Sequence, residues 1–517
     1  MLARLLILVS LVVCALPAAG QVLIDELGDA TQRLALGDLD GDGLDESGVV
    51  SLDGGVRIVL GSTGEVLATI AVAASGSATL AAPGDLDGDG LPDVVVGLPA
   101  HGSPPGRGRV VFARAHTGEV FASWEGRAPG DRLGASLQVL PDLDGDGHAE
   151  LAAGAPGSGA VDGEVLVLSG SGSVLAALSP SGVTGCCLPR RFGADLALAD
   201  DAELVIAMPG EPSSAVVPRV QVFDVTTLLD ATPALLLDVV GTTPGWASAL
   251  DRVADIDGDG HDELLIGAPF GAGATASPVA ELRSGTDGAL LDVVAPPSPT
   301  AQFGIDVAGL GDIDADGVPD FVVSGTGDSS QLSLARAVVY SGADRSVVFD
   351  ILGTSGPQGV FARHVAVQPD LTGDGIGELS VSDGFEGVLR VYSPSGVIED
   401  LGSPLPGAFG APQLDVTGTL IGGEQIVVTL GSAAPRAPVF VLFGFGLVAA
   451  PLLGGVMLPE TIVVASGLAT DGAGELTLTE RWPVGFPSVT LYVQAWLLDP
   501  TGPLGATSSN GLALSAP

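Results

Sequence analysis

Two hydrophobic registers alternate along this chain. Short, almost unbroken apolar runs recur as DVVVGLP (93–99), ELAAGAP (150–156), ELLIGAP (263–269) and DFVVSG (320–325). Between them stand stretches in which apolar and polar residues take turns about a Gly turn: GRVVFARAHTGEVFASW (108–124), GEVLVLSGSGSVLAAL (163–178), RAVVYSGADRSVVFDI (336–351) and GVLRVYSPSGVIEDL (387–401). Period two with many β-branched residues predicts strands joined by hairpins, not helices. The unbroken apolar runs, each followed by such an alternating segment, predict strands as well. Each unit therefore holds about four short strands.

The units are punctuated by one acidic loop, Asp-x-Asp-x-Asp-Gly-x-x-Asp/Glu. It starts at Asp38, Asp85, Asp142, Asp255, Asp312 and, with one change, Asp370; the starts lie 47, 57, 113, 57 and 58 residues apart. The long gap is two periods, and the stretch 191–210 (RFGADLALADDAELVIAMPG) in its middle keeps the flanks while losing the loop. That makes seven units. Four strands are the content of one propeller blade, and a closed ring of blades leaves no exposed sheet edge. The fold expected is all-β: a seven-bladed β-propeller with calcium-binding loops over 21–400, followed by a small β-sandwich-like domain over 401–517.

Positions 1, 3, 5, 7 and 9 of the loops carry the candidate ligands. They are Asp38, Asp40, Asp42, Leu44 and Glu46 in the first, and Asp85, Asp87, Asp89, Leu91 and Asp93 in the second. The third has Asp142, Asp144, Asp146, His148 and Glu150; the fifth has Asp255, Asp257, Asp259, His261 and Glu263. The sixth has Asp312, Asp314, Asp316, Val318 and Asp320; the seventh has Asp370, Thr372, Asp374, Ile376 and Glu378. Carboxylates at 1, 3, 5 and 9, with a backbone carbonyl at 7, make a hard, oxygen-only donor set that suits Ca²⁺ better than Zn²⁺ or Cu²⁺. Gly at position 6 permits the sharp turn. An EF-hand needs Glu at position 12 between helices; here that position is Val96, Ala153 or Ile266 and begins a strand. About five or six calcium ions are expected, and none in the fourth unit, where only Asp200 and Asp201 remain.

Composition supports this. The formal net charge is −43, from 62 acidic against 19 basic residues, yet 46% of residues are hydrophobic and the acids are clustered. All the basic residues are Arg, and Lys is absent. Such a polyanion repels nucleic acid, and bound cations would explain how its charge is tolerated. Residues 1–20 read as a secretory signal, with Arg4 before an apolar core from Leu5 to Leu16 and small residues at Ala18-Ala19-Gly20. This predicts a secreted or cell-surface protein. Cys14 lies inside this signal segment, and the only other cysteines, Cys186 and Cys187, are adjacent and make no disulfide framework.

The acidic loops, the tripeptides Gly154-Ala155-Pro156 and Gly267-Ala268-Pro269, and the pairs Phe192-Gly193 and Phe303-Gly304 together resemble the FG-GAP repeat of the integrin α-subunit head and its bacterial relatives. The resemblance covers roughly residues 22–400. It implies a rigid propeller acting as a non-catalytic adhesion or ligand-binding module, its partner an unknown protein or polysaccharide. The alternatives are a propeller enzyme (a polysaccharide lyase or phospholipase-like hydrolase) with its site in the central channel, or a purely structural envelope protein. The strands after the loops are expected to line that channel; they are apolar, which disfavours catalysis. No HExxH, GxSxG or phosphate-cradling Gly loop is present, and no catalytic residue is assigned. His148 and His261 are expected to offer only their backbone carbonyls, and His101, His116 and His364 read as scattered surface residues. Trp124 and Trp246 read as packing residues. The uncharged stretch Ala437–Leu458 has 22 residues, but Pro438, Pro451 and four glycines favour buried strands over a membrane span.

Overall fold

A computed structural model describes residues 22–515, leaving out 42–44, 52–53, 61–63, 73–77, 103–105, 158–162, 182–190, 201, 211–216, 242, 244, 271–276, 315, 328–333, 354–360, 370, 372–375, 384–386, 394–396, 419, 421–424, 462 and 483–489. The signal reading, the adjacent cysteines, Asp42, Leu44, Asp370, Thr372 and Asp374 lie outside the described residues. The chain is all-β; among the described residues the only helical turns are Val225–Thr227 and Pro503–Gly505.

Seven four-stranded antiparallel sheets follow one another. Sheet I is Gln32–Gly37, Glu46–Val50, Val56–Val59 and Val66–Ile70; sheet II is Thr79–Gly84, Asp93–Leu98, Arg109–Arg114 and Val120–Glu125. Sheet III is Leu137–Leu140, Glu150–Ala155, Glu164–Leu168 and Val174–Leu178; sheet IV is Leu196–Ala199, Glu203–Met208, Arg219–Asp224 and Leu235–Val240. Sheet V is Leu250–Val253, Glu263–Ala268, Val279–Arg283 and Leu290–Val294; sheet VI is Val307–Gly309, Phe321–Gly325, Arg336–Tyr340 and Val347–Leu352. Sheet VII takes Phe361–Gln368, Glu378–Asp383 and Val388–Ser393 from its own unit. Its fourth strand is Val22–Gly28 from the start of the described chain, pairing Val22 with Ser393 and Gly28 with Val388. The strand Val397–Gly402, which the sequence pattern assigns to the last repeat's hairpin, pairs instead with Ala506–Ser515.

The first strand of each sheet lies against the first strand of the next, and Phe361–Gln368 returns to Gln32–Gly37. The first strands therefore surround the axis. The expectation that the strands after the acidic loops line the channel is corrected: those are the second strands, one place further out. Their apolar character has a packing cause, because they are covered on both faces by neighbouring sheets, and Asp93–Leu98, Glu150–Ala155 and Glu263–Ala268 are buried throughout. The first strands meet solvent on one face, and Leu137–Leu140 is only half-buried over most of its length.

Close approach between sheets explains the recurring glycines. A Cβ on Gly154 would strike the Gly193 carbonyl oxygen of the next unit; one on Gly97 would strike that of Gly134, and one on Gly267 that of Gly304. Gly134, Gly193 and Gly304 have φ of 83°, 80° and 86°, a left-handed turn that glycine adopts without strain. Ala247 (φ 63°) and Ala362 (φ 55°) hold the same place in units V and VII. The residue before each turn, Leu133, Phe192, Trp246, Phe303 or Phe361, is fully buried between sheets. Trp246 thus stands in for Phe in unit V; its Nε1 donates to Glu281 at 2.9 Å, and the Arg283 guanidinium lies 5.6 Å from its ring centroid.

Beyond Ser393 the chain forms a five-stranded sheet (Val397–Gly402, Ala506–Ser515, Thr490–Leu498, Pro438–Gly444, Val463–Ala469), a three-stranded sheet (Gln413–Thr417, Gln425–Gly431, Leu476–Arg481) and a hairpin (Leu447–Leu452, Gly455–Pro459). Leu414, Ile426 and Leu430 of the smaller sheet share one core with Val439, Val441, Val493 and Leu512 of the larger. The uncharged stretch 437–458 is consumed by strands, and no helix among the described residues is long and apolar enough to cross a membrane.

The Gly154→Ala substitution is expected to destabilise the chain by about 1–3 kcal/mol, because backbone on the facing sheet must move to admit the methyl group. Thermal denaturation against Gly431→Ala, whose Cβ would meet nothing within 4 Å, checks it. Equal midpoints would refute the close-packing account.

Candidate metal centres

Each acidic loop joins the first strand of a sheet to its second. The turn is built by its own carboxylates. The position-1 side chain accepts the N–H of position 4, as in Gly88 to Asp85 at 2.8 Å and Gly258 to Asp255 at 2.6 Å. Its second oxygen accepts the N–H of position 6, from Gly90 (2.8 Å), Gly147 (2.9 Å), Gly260 (2.9 Å) and Gly317, which donates to Asp312 at 2.9 Å. Those position-6 glycines have φ of 89° to 92°. The position-5 carboxylate accepts the N–H of position 7 at 2.9 Å in loops II, III, V and VI, which fixes Asp89, Asp146, Asp259 and Asp316. Each bond aims a carboxylate inward and leaves lone pairs for a cation.

Among the described residues five sets of acids converge, each offering ligand oxygens within 4.8 Å of one another. They are Asp38, Asp40 and Glu46; Asp85, Asp87 and Asp93; Asp142, Asp144, Asp146 and Glu150; Asp255, Asp257, Asp259 and Glu263; and Asp312, Asp314 and Asp316. The structure thus brings together candidate ligands in loops I, II, III, V and VI. In loop VII only Ile376 and Glu378 are described among the candidates; Glu378 accepts the Leu371 N–H at 2.6 Å, the bond its counterparts make. Leu91, His148, His261 and Val318 hold position 7, where the backbone runs past each cluster.

The position-9 carboxylate carries the test of fit. It is buried at the start of the second strand, and one oxygen accepts the N–H of position 2: Leu86 to Asp93 at 2.8 Å, Ile256 to Glu263 at 2.6 Å, and Leu143 to Glu150. The other oxygen of Asp93, Glu150 and Glu263 is buried with no hydrogen-bond partner. A buried, unpaired carboxylate oxygen beside two or three further carboxylates is costly without a cation. Burial first, then the neighbouring loop acids, pushes Asp93 up to about 6 and Glu263 to about 7; Glu150 also rises. Asp320 differs: its second oxygen accepts the Gly342 N–H at 2.9 Å, and it falls outside its loop's cluster.

Several residues around the loops escape sequence reasoning. Arg114, at the end of a third strand, lies 2.6 Å from Asp87 and 3.4 Å from Asp89, placing a cation against loop II. Ser341 occupies the like place in sheet VI and donates to Asp316 (3.1 Å), and in sheet V Thr286, two residues further into the turn, donates to Asp259 (2.7 Å). The position-7 histidines use their rings as well as their backbones, which corrects the expectation above. His148 Nδ1 lies 2.8 Å from the Asp85 carbonyl oxygen in the preceding loop. His261 Nδ1 lies 2.8 Å from Asp200, whose carboxylate also accepts the Asp262 N–H at 2.9 Å. The reduced fourth loop is therefore tied directly to the fifth. The shared separation of 61–63 residues, a little over one repeat, is the signal that could have paired them.

At the other end of the first strands Asp195 accepts N–H groups from Leu196 (3.0 Å) and, in the next sheet, Leu250 (2.9 Å). Burial, then the charge of Asp306, raises Asp195 to about 8.

Models of known families match this architecture where its loops are intact: an FG-GAP-like repeat over residues 38–96, and the FG-GAP repeat over 133–168 and 252–279. The chain carries FG-GAP repeats. Among curated relatives it is 28% identical over 141 residues to integrin alpha-5 of Xenopus laevis, covering 25% of this chain and 13% of that one. It is 34% identical over 129 residues to integrin alpha-X of Mus musculus, covering 23% and 11%. Against integrin alpha-IIb of Homo sapiens it is 30% identical over 109 residues, covering 20% and 10%. The matched stretches thus span about a tenth of these relatives' length. Among solved structures, Saccharomyces cerevisiae Sqt1 aligns with 67% of this chain and 80% of its own at 10% identity and a TM-score of 0.45, a level that carries no argument.

Without metal, the buried carboxyls of the FG-GAP loops and of the first strands impose a pH dependence. A carboxyl with a raised folded pKa binds its proton more tightly folded than unfolded. Its stabilising effect is full below its unfolded value of about 4 and is lost as pH rises through the folded value. For Asp93, Glu263, Asp251 (raised to about 6) and Asp195, that window runs from about 4 to 8. In EDTA the melting midpoint is expected to fall between pH 5 and pH 8, with Glu263→Gln flattening the slope. A midpoint that rises over this range would contradict it.

Proposed function

We propose that this chain is an exported, calcium-loaded seven-bladed β-propeller over 21–400, with a β-sandwich-like module at 401–517, that acts as a non-catalytic ligand-binding or adhesion module outside the cell. The observation that carries the reading is the buried, unpartnered oxygen of Asp93, Glu150 and Glu263, each beside converging loop carboxylates. Calcium fits this donor set because every donor is a hard oxygen and the loop can supply six or more of them. The acids at positions 1, 3, 5 and 9 would hold the ion, with the carbonyl of position 7. Bound there, it would supply charge neutralisation and cross-link the end of a first strand to the start of a second.

The ions belong to the scaffold in this reading. A rigid ring whose repeats match those of integrin α chains supports ligand binding as the activity, with a protein or polysaccharide partner. The acidic surface disfavours nucleic acid, and the apolar opening segment at 1–20 supports export.

Calcium in excess is expected to raise the melting midpoint of the mature chain by several degrees over the same chain in EDTA. At a hundredfold over Kd each site contributes about 2.7 kcal/mol. Calorimetric titration is expected to count five or six ions, and Asp144→Asn with Glu150→Gln to remove one. Equal midpoints in calcium and EDTA would sink the assignment.

A further inference from the structure

Where the first strands begin, the seven sheets enclose the mouth of the axial channel, a cavity of about 470 Å³ lined from every sheet. The repeat places two residues per unit at this rim, directly after the buried residue and its left-handed turn. They read Ala135-Ser136 in unit III, Ala194-Asp195 in IV, Ser248-Ala249 in V, Ile305-Asp306 in VI and Arg363-His364 in VII. In a repeat, positions that keep one role around the ring serve the fold. The second position of the pair does so in most units, by stapling its sheet to the next. Thr79 and Ser136 donate to the carbonyls of Gly134 and Gly193, both at 2.9 Å. Asp195 accepts the Leu250 N–H, and Asp306 accepts the Val365 N–H at 3.0 Å.

Unit VII breaks the pattern at both positions. Arg363 stands where the other pairs have Ala, Ser or Ile. It is exposed into the cavity and makes no hydrogen bond or ion pair with any described residue. The His364 side chain makes no staple; its Nδ1 lies 3.7 Å from Asp306 and the ring is half-exposed. A guanidinium and an imidazole thus share one arc of a cavity in a chain of net charge −43, and the guanidinium has no partner among the described residues. Arg33, also on the rim, is committed to Asp25 (3.0 Å) and Ser47 (2.9 Å).

We propose that the Arg363–His364 arc of the channel mouth binds a small organic carboxylate bearing hydroxyl groups, such as a single uronic acid unit. The free guanidinium fork matches one carboxylate in bidentate geometry. Asp306 beside the arc, 3.7 Å from His364, and Asp195 further round the rim keep carboxyl oxygens that accept hydroxyl protons, and one guanidinium matches one carboxylate, so the ligand carries one negative end and a hydroxylated remainder. The volume lies within the usual range for small-molecule sites, ~300–1,000 Å³. This deepens the ligand-binding reading without using the calcium loops, which lie at the opposite ends of the same strands.

The experiment is a calorimetric titration of the calcium-saturated mature chain with D-glucuronate, with D-glucose and D-glucosamine as isosteric neutral and cationic controls. Glucuronate is expected to bind at least tenfold more tightly than either. Arg363→Ala is expected to abolish that binding and Arg363→Lys to weaken it at least fivefold, with melting midpoints unchanged because Arg363 supports no contact. His364→Gln is expected to weaken it less. Equal responses to the three sugars, or full glucuronate binding by Arg363→Ala, would overturn the site. Calcium-dependent melting of the same samples is read separately, so loss of the calcium effect with retained glucuronate binding would count against the loops alone.

Discussion

Glycine backbone pressed against glycine backbone sets the dimensions of this molecule. Gly97, Gly154 and Gly267 in the second strands meet the carbonyls of Gly134, Gly193 and Gly304, which begin the next units. Because nothing larger than hydrogen fits there, adjacent sheets approach closely enough to bury Leu133, Phe192 and Phe303 between them. The same contact fixes where each left-handed turn stands. It thereby fixes the rim residues that follow the turn and, one strand-length on, the acidic loop. The two halves of the repeat, an aromatic with its turn and a glycine in a buried strand, are two sides of one contact.

That geometry separates two chemistries along the axis. One end of the first strands carries the clustered carboxylates, held apart only by backbone N–H groups and by the occasional Arg114, Thr286 or Ser341. The other end carries the inter-sheet staples and the exceptional Arg363 and His364. The loops are also linked sideways, through His148 to the Asp85 carbonyl and His261 to Asp200. A loop that has lost its acids, as the fourth has, is not an empty turn but an anchor for its neighbour.

Much of this was legible in the chain. The period, the four strands per unit and the clustering of the loop carboxylates follow from residue patterns that are local, and local patterns survive in a one-dimensional reading. What was not legible depends on contacts far apart in sequence. VLIDELG at 22–28 looks like any short strand, and only its register against Ser393 to Val388 shows that it completes the last sheet. The apolar second strands lie between neighbouring sheets, not on the channel wall where their sequence suggests. They were placed on the axis because their sequence cannot distinguish burial by neighbouring sheets from a dry channel wall. Trp246-Ala247 and Phe361-Ala362 escaped notice because alanine at positive φ is uncommon, and only the ring forces it. His364 read as a surface residue because its meaning lies in what six other units put in its place.

The strand Val22–Gly28 has a consequence for how the molecule comes into being. It is made first and finds its partner last, since Val388–Ser393 follows some 360 residues later. Closing so long a loop costs entropy that grows only with the logarithm of its length, so the penalty at equilibrium is modest. The delay is the larger matter. Until synthesis reaches the seventh sheet, an unpaired strand edge waits at each end of the growing array, open to pairing with the wrong neighbour. Non-local pairing of this kind makes folding slow. Once formed, the closure acts as a latch: opening the ring at its seam must first break the ladder between Val22–Gly28 and Val388–Ser393.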